Sequence, residues 1–233
     1  MRSALATSTV LLCLCTACGS SGSAGSHATS RPAFVHGVTN PWFPLKPGTT
    51  FIYTGEKDGE SGRDVVHVTR RTRMLRGAPC TTIDDRVYLK GRLAERTTDW
   101  YTQDASGNVW YFGEATAELN KAGKVTSREG SWLAGVDGAQ PGIFMAAHPN
   151  IGRSYRQEYY QGQAEDHFAV VSVSASVVVR YTASAHALLT KEWTPLEPGT
   201  LDHKLYIRGI GLVREETIKG GNELWELSDV LHQ

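Results

Sequence analysis

Residues 168–181, FAVVSVSASVVVRY, alternate apolar and polar side chains. An alternation of period two fits an extended strand with one buried face and fits no helix. Phe168, Val171, Val173, Ala175, Val177, Val179 and Tyr181 mark the inner face, with one slip between 168 and 171, and Ser172, Ser174, Ser176 and Arg180 the outer one. Similar runs follow one another along the chain: TTFIYTG, DVVHVTRRT, CTTIDDRVYL, RTTDWYTQD, NVWYFGE, HALLTKEWT, DHKLYIRG, GLVREETI and ELWELSDV. Between them lie turn sequences, DASGN at 104–108, NKAGK at 120–124 and KGGN at 219–222, whose Gly and Asn accept positive φ. No run keeps i, i+3, i+4, i+7 spacing for more than two turns. The longest stretch without a pattern, 135–152, holds four glycines and two prolines and is expected to be irregular.

Strands joined by hairpins without crossover helices form an antiparallel meander. So many strands in a flat sheet would leave bare edges, so the expectation is an all-β domain, an antiparallel meander forming a barrel-like or strongly curved sheet, either of which can enclose a cavity. It is expected to cover residues 40–233 as one β-rich unit. At its start, NPWFPLKPGTTFIY (40–53) has three prolines that favour an extended chain, and Trp42, Phe43 and Leu45 are apolar knobs suited to capping one end of the core. Trp100–Tyr101 and Trp110–Tyr111 are adjacent pairs, so on a strand one ring of each faces in and one out, and the outward rings are a candidate binding platform.

The first seventeen residues read as a signal peptide. Arg2 supplies the positive start, residues 4–17 are apolar but too short to span a bilayer, and Thr16 and Ala17 are small. Cys18 follows in LLCLCTACGSSG, a setting that resembles the bacterial lipobox, although Cys15 rather than Leu stands three places before it. The resemblance implies cleavage before Cys18 and acylation of its thiol, with about 0.8 kcal/mol of membrane affinity per buried methylene. Residues 18–39 are read as a flexible Gly/Ser-rich tether. The expected location is extracytoplasmic, anchored to the bacterial cell membrane, with plain secretion as the alternative. After cleavage only Cys18 and Cys80 remain, so a lipidated Cys18 leaves Cys80 without a disulfide partner, and a buried small hydrophobe is the expected role for it. Lys and Arg number 24, as do Asp and Glu, and loss of Arg2 leaves a net charge of about −1, which offers no footprint for nucleic acid.

Chemistry is sparsely marked. EYYQGQAEDH (158–167) gathers Glu158, Glu165, Asp166 and His167, with His148, Asp137, Asp202 and His203 elsewhere. Carboxylates beside imidazoles can work as acid and base, so Glu158, Glu165, Asp166, His167 and His203 are the catalytic candidates. His148, Glu165, Asp166 and His167 are the candidate metal ligands, although their spacing matches no metal signature and neither a metal nor another cofactor is expected. GxSxG, SxxK and P-loop patterns are absent, as is a strand-linked GxGxxG. DASGN lacks the downstream acidic ligand of a calcium loop.

Taken in order, NPWFPLKPGTTFIYTG, DWYTQDASGNVWYFGE, SWLAGVDGAQPGIFMAAHP, YRQEYYQGQAEDH, KEWTPLEPG and HKLYIRGIGLVREE resemble a widespread group of uncharacterised bacterial secreted proteins and lipoproteins. The resemblance implies export and no particular reaction. YIRGIGLVREE is also similar to the last hairpin of periplasmic proteins with a curved antiparallel sheet, lipoprotein carriers among them. The reading favours a non-enzymatic lipoprotein that binds an apolar small molecule or an envelope protein. A metal-assisted hydrolase using 158–167 is the second reading.

Overall fold

The computed structural model describes residues 32–232. The signal peptide, Cys18 and the first part of the tether lie outside the described residues. Thr, Val, Ile, Tyr and Trp crowd the period-two runs, and each run becomes a strand because these side chains pack well on a pleated, half-buried surface. Among the described residues there are sixteen strands and no α-helix.

They are β1 (Phe34–Val35), β2 (Thr49–Lys57), β3 (Glu60–Leu75), β4 (Ala78–Leu89), β5 (Arg92–Asp104), β6 (Val109–Leu119), β7 (Val125–Ser127) and β8 (Trp132–Leu133). The second half adds β9 (Gln140–Met145), β10 (Ser154–Arg156), β11 (Glu158–Tyr159), β12 (His167–Val178), β13 (Ala183–Trp193), β14 (Leu201–Ile207), β15 (Gly211–Lys219) and β16 (Leu224–His232). One sheet contains them all, in the order β10-β12-β13-β14-β15-β16-β2-β3-β4-β5-β6-β9-β11, with β1 on β5 and β7 and β8 on β6. All these strand pairs are antiparallel. The two ends of that order, β10 and β11, are consecutive in the chain and separated only by Gln157. The sheet therefore curls until its edges meet at one residue, and the wall is a nearly closed barrel. The backbones are tight at this seam: a Cβ on Gly142 of β9 would stand 2.1 Å from the Arg156 carbonyl oxygen.

The three expected hairpin turns are all present. In 104–108 the Asp104 carboxylate accepts from Ser106 N, Asn108 N and Nδ2 and Trp110 Nε1 at 2.8–2.9 Å, which makes the segment an Asp-closed turn between β5 and β6.

Three expectations need correction. Phe34 and Val35, placed in the tether by the sequence reading, pair with Asp104 and Gln103 of β5. Phe34 packs edge-on against the outward rings Trp110 (6.0 Å) and Phe112 (5.2 Å), and Val38 is buried, so ordered packing starts before residue 40. Residues 140–145, expected to be irregular, form β9. The inner face of β12 is also different. Phe168, Val177 and Val179 are buried as expected, whereas Val171, Val173 and Tyr181 are exposed and Ala169 and Val170 are buried instead. Register shifts at Val170/Ser172, Ser172/Ala175 and Ala175/Val177 are the physical reason, since each added residue rotates the following side chains to the other face.

Trp42 and Leu45 are buried among the core residues and Phe43 packs against them. Cys80 is a free, fully buried thiol, and burial pushes its pKa up to about 12.

Candidate functional site

The barrel encloses a partly open cavity of about 300 Å³. Alternation along the wall brings one ring of each adjacent pair inward. Tyr101 and Tyr111 line the cavity and stack at 4.6 Å, with Phe144 and Phe43 closing against Tyr101 at 4.9 and 5.3 Å. The outward partners do not form a bare platform: Trp100 is buried with the Arg73 guanidinium over its ring, and Trp110 lies against Phe34.

The rest of the lining is acidic. Asp64, Asp85, Asp99 and Glu114 come from β3 to β6, and Glu158, Asp166, Glu192 and Glu215 from the other side of the wall. Lys204 of β14 is the one cation in the lining. Its Nζ lies 3.1 Å from Glu192 Oε2 and 3.2 Å from Glu215 Oε1. Glu192 also accepts from Thr190 at 3.1 Å, Gln157 at 3.4 Å and Tyr206 at 3.4 Å.

On the far side Asp99 and Glu114 stand directly opposite on neighbouring strands, a like-charge pairing that is destabilising when both are ionised. A bulge makes this possible. Tyr111 and Glu114 are three residues apart and would fall on opposite faces of a regular strand. Gly113 between them has φ +140°, and a Cβ there would meet the Trp132 carbonyl oxygen at 2.5 Å. The Tyr111 hydroxyl donates to Asp99 Oδ1 at 2.6 Å.

Asp64 Oδ1 and Asp85 Oδ1 are buried with only each other's carboxyl as partner, a bond that needs a proton on Asp85, and Glu158 Oε2 is buried without a hydrogen bond. Burial pushes the Asp99 and Glu158 carboxyls up to about 8, and the neighbouring charges of Asp85 and Asp166 respectively add to it. Trp132 lies close enough to pull Glu158 down somewhat, yet neither its indole N–H nor Glu158 Oε2 completes a hydrogen bond. Burial takes Asp64 to about 6, and it lifts Asp85, with Asp64 beside it, and Glu114, with Asp99 across from it, well above the carboxylate range. Asp166, exposed at the surface yet hemmed in by protein, is also raised. Burial opposes the Lys204 charge, but Glu192 and Glu215 outweigh it and hold the ammonium firmly protonated. Burial without a facing cation thus favours the protonated form of these carboxyls, most clearly at Asp99 and Glu158.

Of the expected site residues, Glu158 and Asp166 line this cavity, while Glu165, His167, His148 and His203 do not. Glu165 accepts from Gly162 N at 2.7 Å, and His167 Nδ1 sits 2.9 Å from the Glu165 carbonyl oxygen while its ring stacks on Trp193. His148 and Asp137 are exposed, and Asp202 accepts from the Thr217 hydroxyl at 2.6 Å. Among the described residues no group of three or more His, Cys, Asp or Glu side chains is arranged to hold a metal ion. A proton-holding carboxyl also suits a general acid.

The sequence reading missed Asp64, Asp85, Asp99, Glu114, Glu192, Lys204 and Glu215. The signal was present: Asp64 shares parity with Val66 and Val68, Asp85 with Ile83, and Glu192 with Leu188 and Thr190, so charges occupy inner-face positions.

Comparison with protein-family models and with curated proteins gives no match. Two solved structures are similar over 82% of this chain. One is a protein proposed to be exported, with a YmcC-like fold, from Bacteroides fragilis, at 13% identity, TM-score 0.48 and 98% of its own length. The other is a proposed lipoprotein from Parabacteroides distasonis, at 11% identity, TM-score 0.48 and 99% of its length.

Proposed function

We propose that the chain is an exported, lipid-anchored protein that receives a small molecule inside its barrel and catalyses no reaction. The observation that carries this reading is the cavity of about 300 Å³, which lies at the low end of the size of known ligand sites. Its lining of Phe43, Tyr101, Phe144 and Leu212 offers apolar surface, and the carboxyls and Lys204 around it offer polar contacts that can fix orientation. Export and anchoring rest on the signal-like residues 1–17 and on Cys18 in its lipobox-like setting.

Native mass spectrometry of the untagged protein, purified from membranes, tests both parts. The expected result is acyl mass on Cys18 and a non-covalent small molecule in the barrel. Cys18→Ala should move the protein out of the membrane fraction or block processing. Phe43→Ala, which removes a lining ring and leaves the strands intact, should lower occupancy about tenfold. A mature N-terminus without acyl mass would remove the anchor. A barrel that is empty in the wild type and takes up nothing from a cell extract would remove the ligand, leaving an outer surface for an envelope partner.

A further inference from the structure

We propose that the molecule received is an organic cation, its ammonium group held by the carboxyls of Glu158, Asp99 and Glu114 and its apolar body by Phe43, Tyr101 and Phe144. This rests on the reading of the cavity as a ligand site and names the class of ligand.

Charge balance points this way first. Eight carboxyls line the cavity against one ammonium group, and Lys204 is already shared by Glu192 and Glu215. The carboxyls of Asp99, Glu114 and Glu158 have no cation of their own. The second observation is independent of the charge count. Glu158 is 4% exposed, lines the cavity, and keeps Oε2 without a completed hydrogen bond. A buried carboxyl oxygen without a completed bond is costly; the unpaired Trp132 indole is the donor near it, and a ligand N–H would supply a second. The third is the aromatic wall. Phe43, Tyr101, Tyr111 and Phe144 pack on one another beside these carboxyls, and none of the cation–π contacts found among the described residues uses their faces. Ring faces next to carboxylates suit an ammonium group on an apolar body. A metal ion would need three or more converging ligands, an arrangement not found among the described residues.

Binding is then an exchange. Without ligand, Glu158 holds its proton, because burial and the nearby carboxyls of Asp166, Asp99 and Glu114 oppose its charge, with only Lys204 and the Trp132 indole in its favour. The hydroxyl of Tyr111 faces the same space, and the residues of β9 paired with β11, Gln140 and Pro141, do not titrate. When an ammonium ion enters, Glu158 ionises, its proton leaves to solvent, and the ion pair replaces the O–H bond. The net charge inside is unchanged when one cation enters and one proton leaves.

Calorimetry on the full mature protein tests this with two probes of equal apolar body and opposite charge, 2-phenylethylamine and 3-phenylpropanoate. The amine should bind one to one, at least about tenfold more tightly at about pH 8.5 than at about pH 6, and should release protons to the buffer. Glu158→Gln keeps the shape of the neutral carboxyl, so it should fold normally, bind the amine about tenfold more weakly at the higher pH, and lose most of the pH dependence. Carboxylate binding as tight as amine binding would overturn the cation and leave an apolar ligand site standing. Zinc or calcium binding that Glu158→Gln abolishes, without amine binding, would assign the site to a metal instead. Absence of heat with either probe, in a protein that also purifies empty, would overturn both this inference and the ligand reading beneath it.

Discussion

Lys204 faces more carboxyls than it can pair, and those around it divide into two kinds. Glu192 and Glu215 are paired with it, whereas Asp99 and Glu158 make no ion pair with it and hold protons instead. This makes stability depend on pH in an unusual direction. Folding lifts Asp99 from 3.8 and Glu158 from 4.5 to about 8, so between those values the folded state binds more protons than the unfolded chain. Stability from these two groups is complete below about pH 4 and falls as pH rises toward about 8, by at most about 1.4 kcal/mol per unit for each group. Urea unfolding should therefore give a more stable protein at about pH 5.5 than at about pH 8.5, with the difference reduced in Glu158→Gln. Equal or greater stability at the higher pH would mean that these carboxyls are ionised in the native state. Sequence alone could reveal this only through parity. EDH within 158–167 attracts notice because three polar groups adjoin, yet only Asp166 of these points into the cavity. Asp99 attracts none, because its partner Glu114 is fifteen residues away and meets it only across β5 and β6.

At the scale of elements, the long strands were legible and their local register was not. Each period-two run from TTFIYTG to ELWELSDV is a strand, because burial of one face and a turn at each end determine it. The short strands β1 and β7 to β11 carry no such pattern, since two to six residues are too few to show a period and their pairing is decided by the wall they join. In β12 the alternation misleads. Serines at 172, 174 and 176 suggest one unbroken face, but the bulges break it, and Val177 is 5% exposed where Val173 is 40% exposed. Val177→Asp should bury an unpaired charge and cost about 3 kcal/mol or more, while Val173→Asp should cost about 1 kcal/mol or less. Thermal denaturation of the two variants decides the matter, and a larger loss at Val173 would restore the unbroken alternation.

For the whole molecule, closure depends on the seam at Gln157. Gly142 has no room for a side chain there, since a Cβ would lie 2.1 Å from the Arg156 carbonyl oxygen and 2.6 Å from the Gln157 carbonyl carbon. Gly142→Ala should push the edges apart, cost about 1–3 kcal/mol, and speed amide exchange over residues 154–159. Unchanged exchange and stability would show that the seam yields freely. The opposite joint has another kind of consequence. β16, the last of the described strands, is inserted between β15 and β2, and Thr49 meets His232 across a separation of 183 residues. A ribosome delivers residues 224–232 after the other described strands. Until they arrive, β2 and β15 each present a bare edge and the wall has a gap one strand wide. Closure therefore waits for β16, and until that strand pairs with both of its neighbours the cavity lies open between β15 and β2.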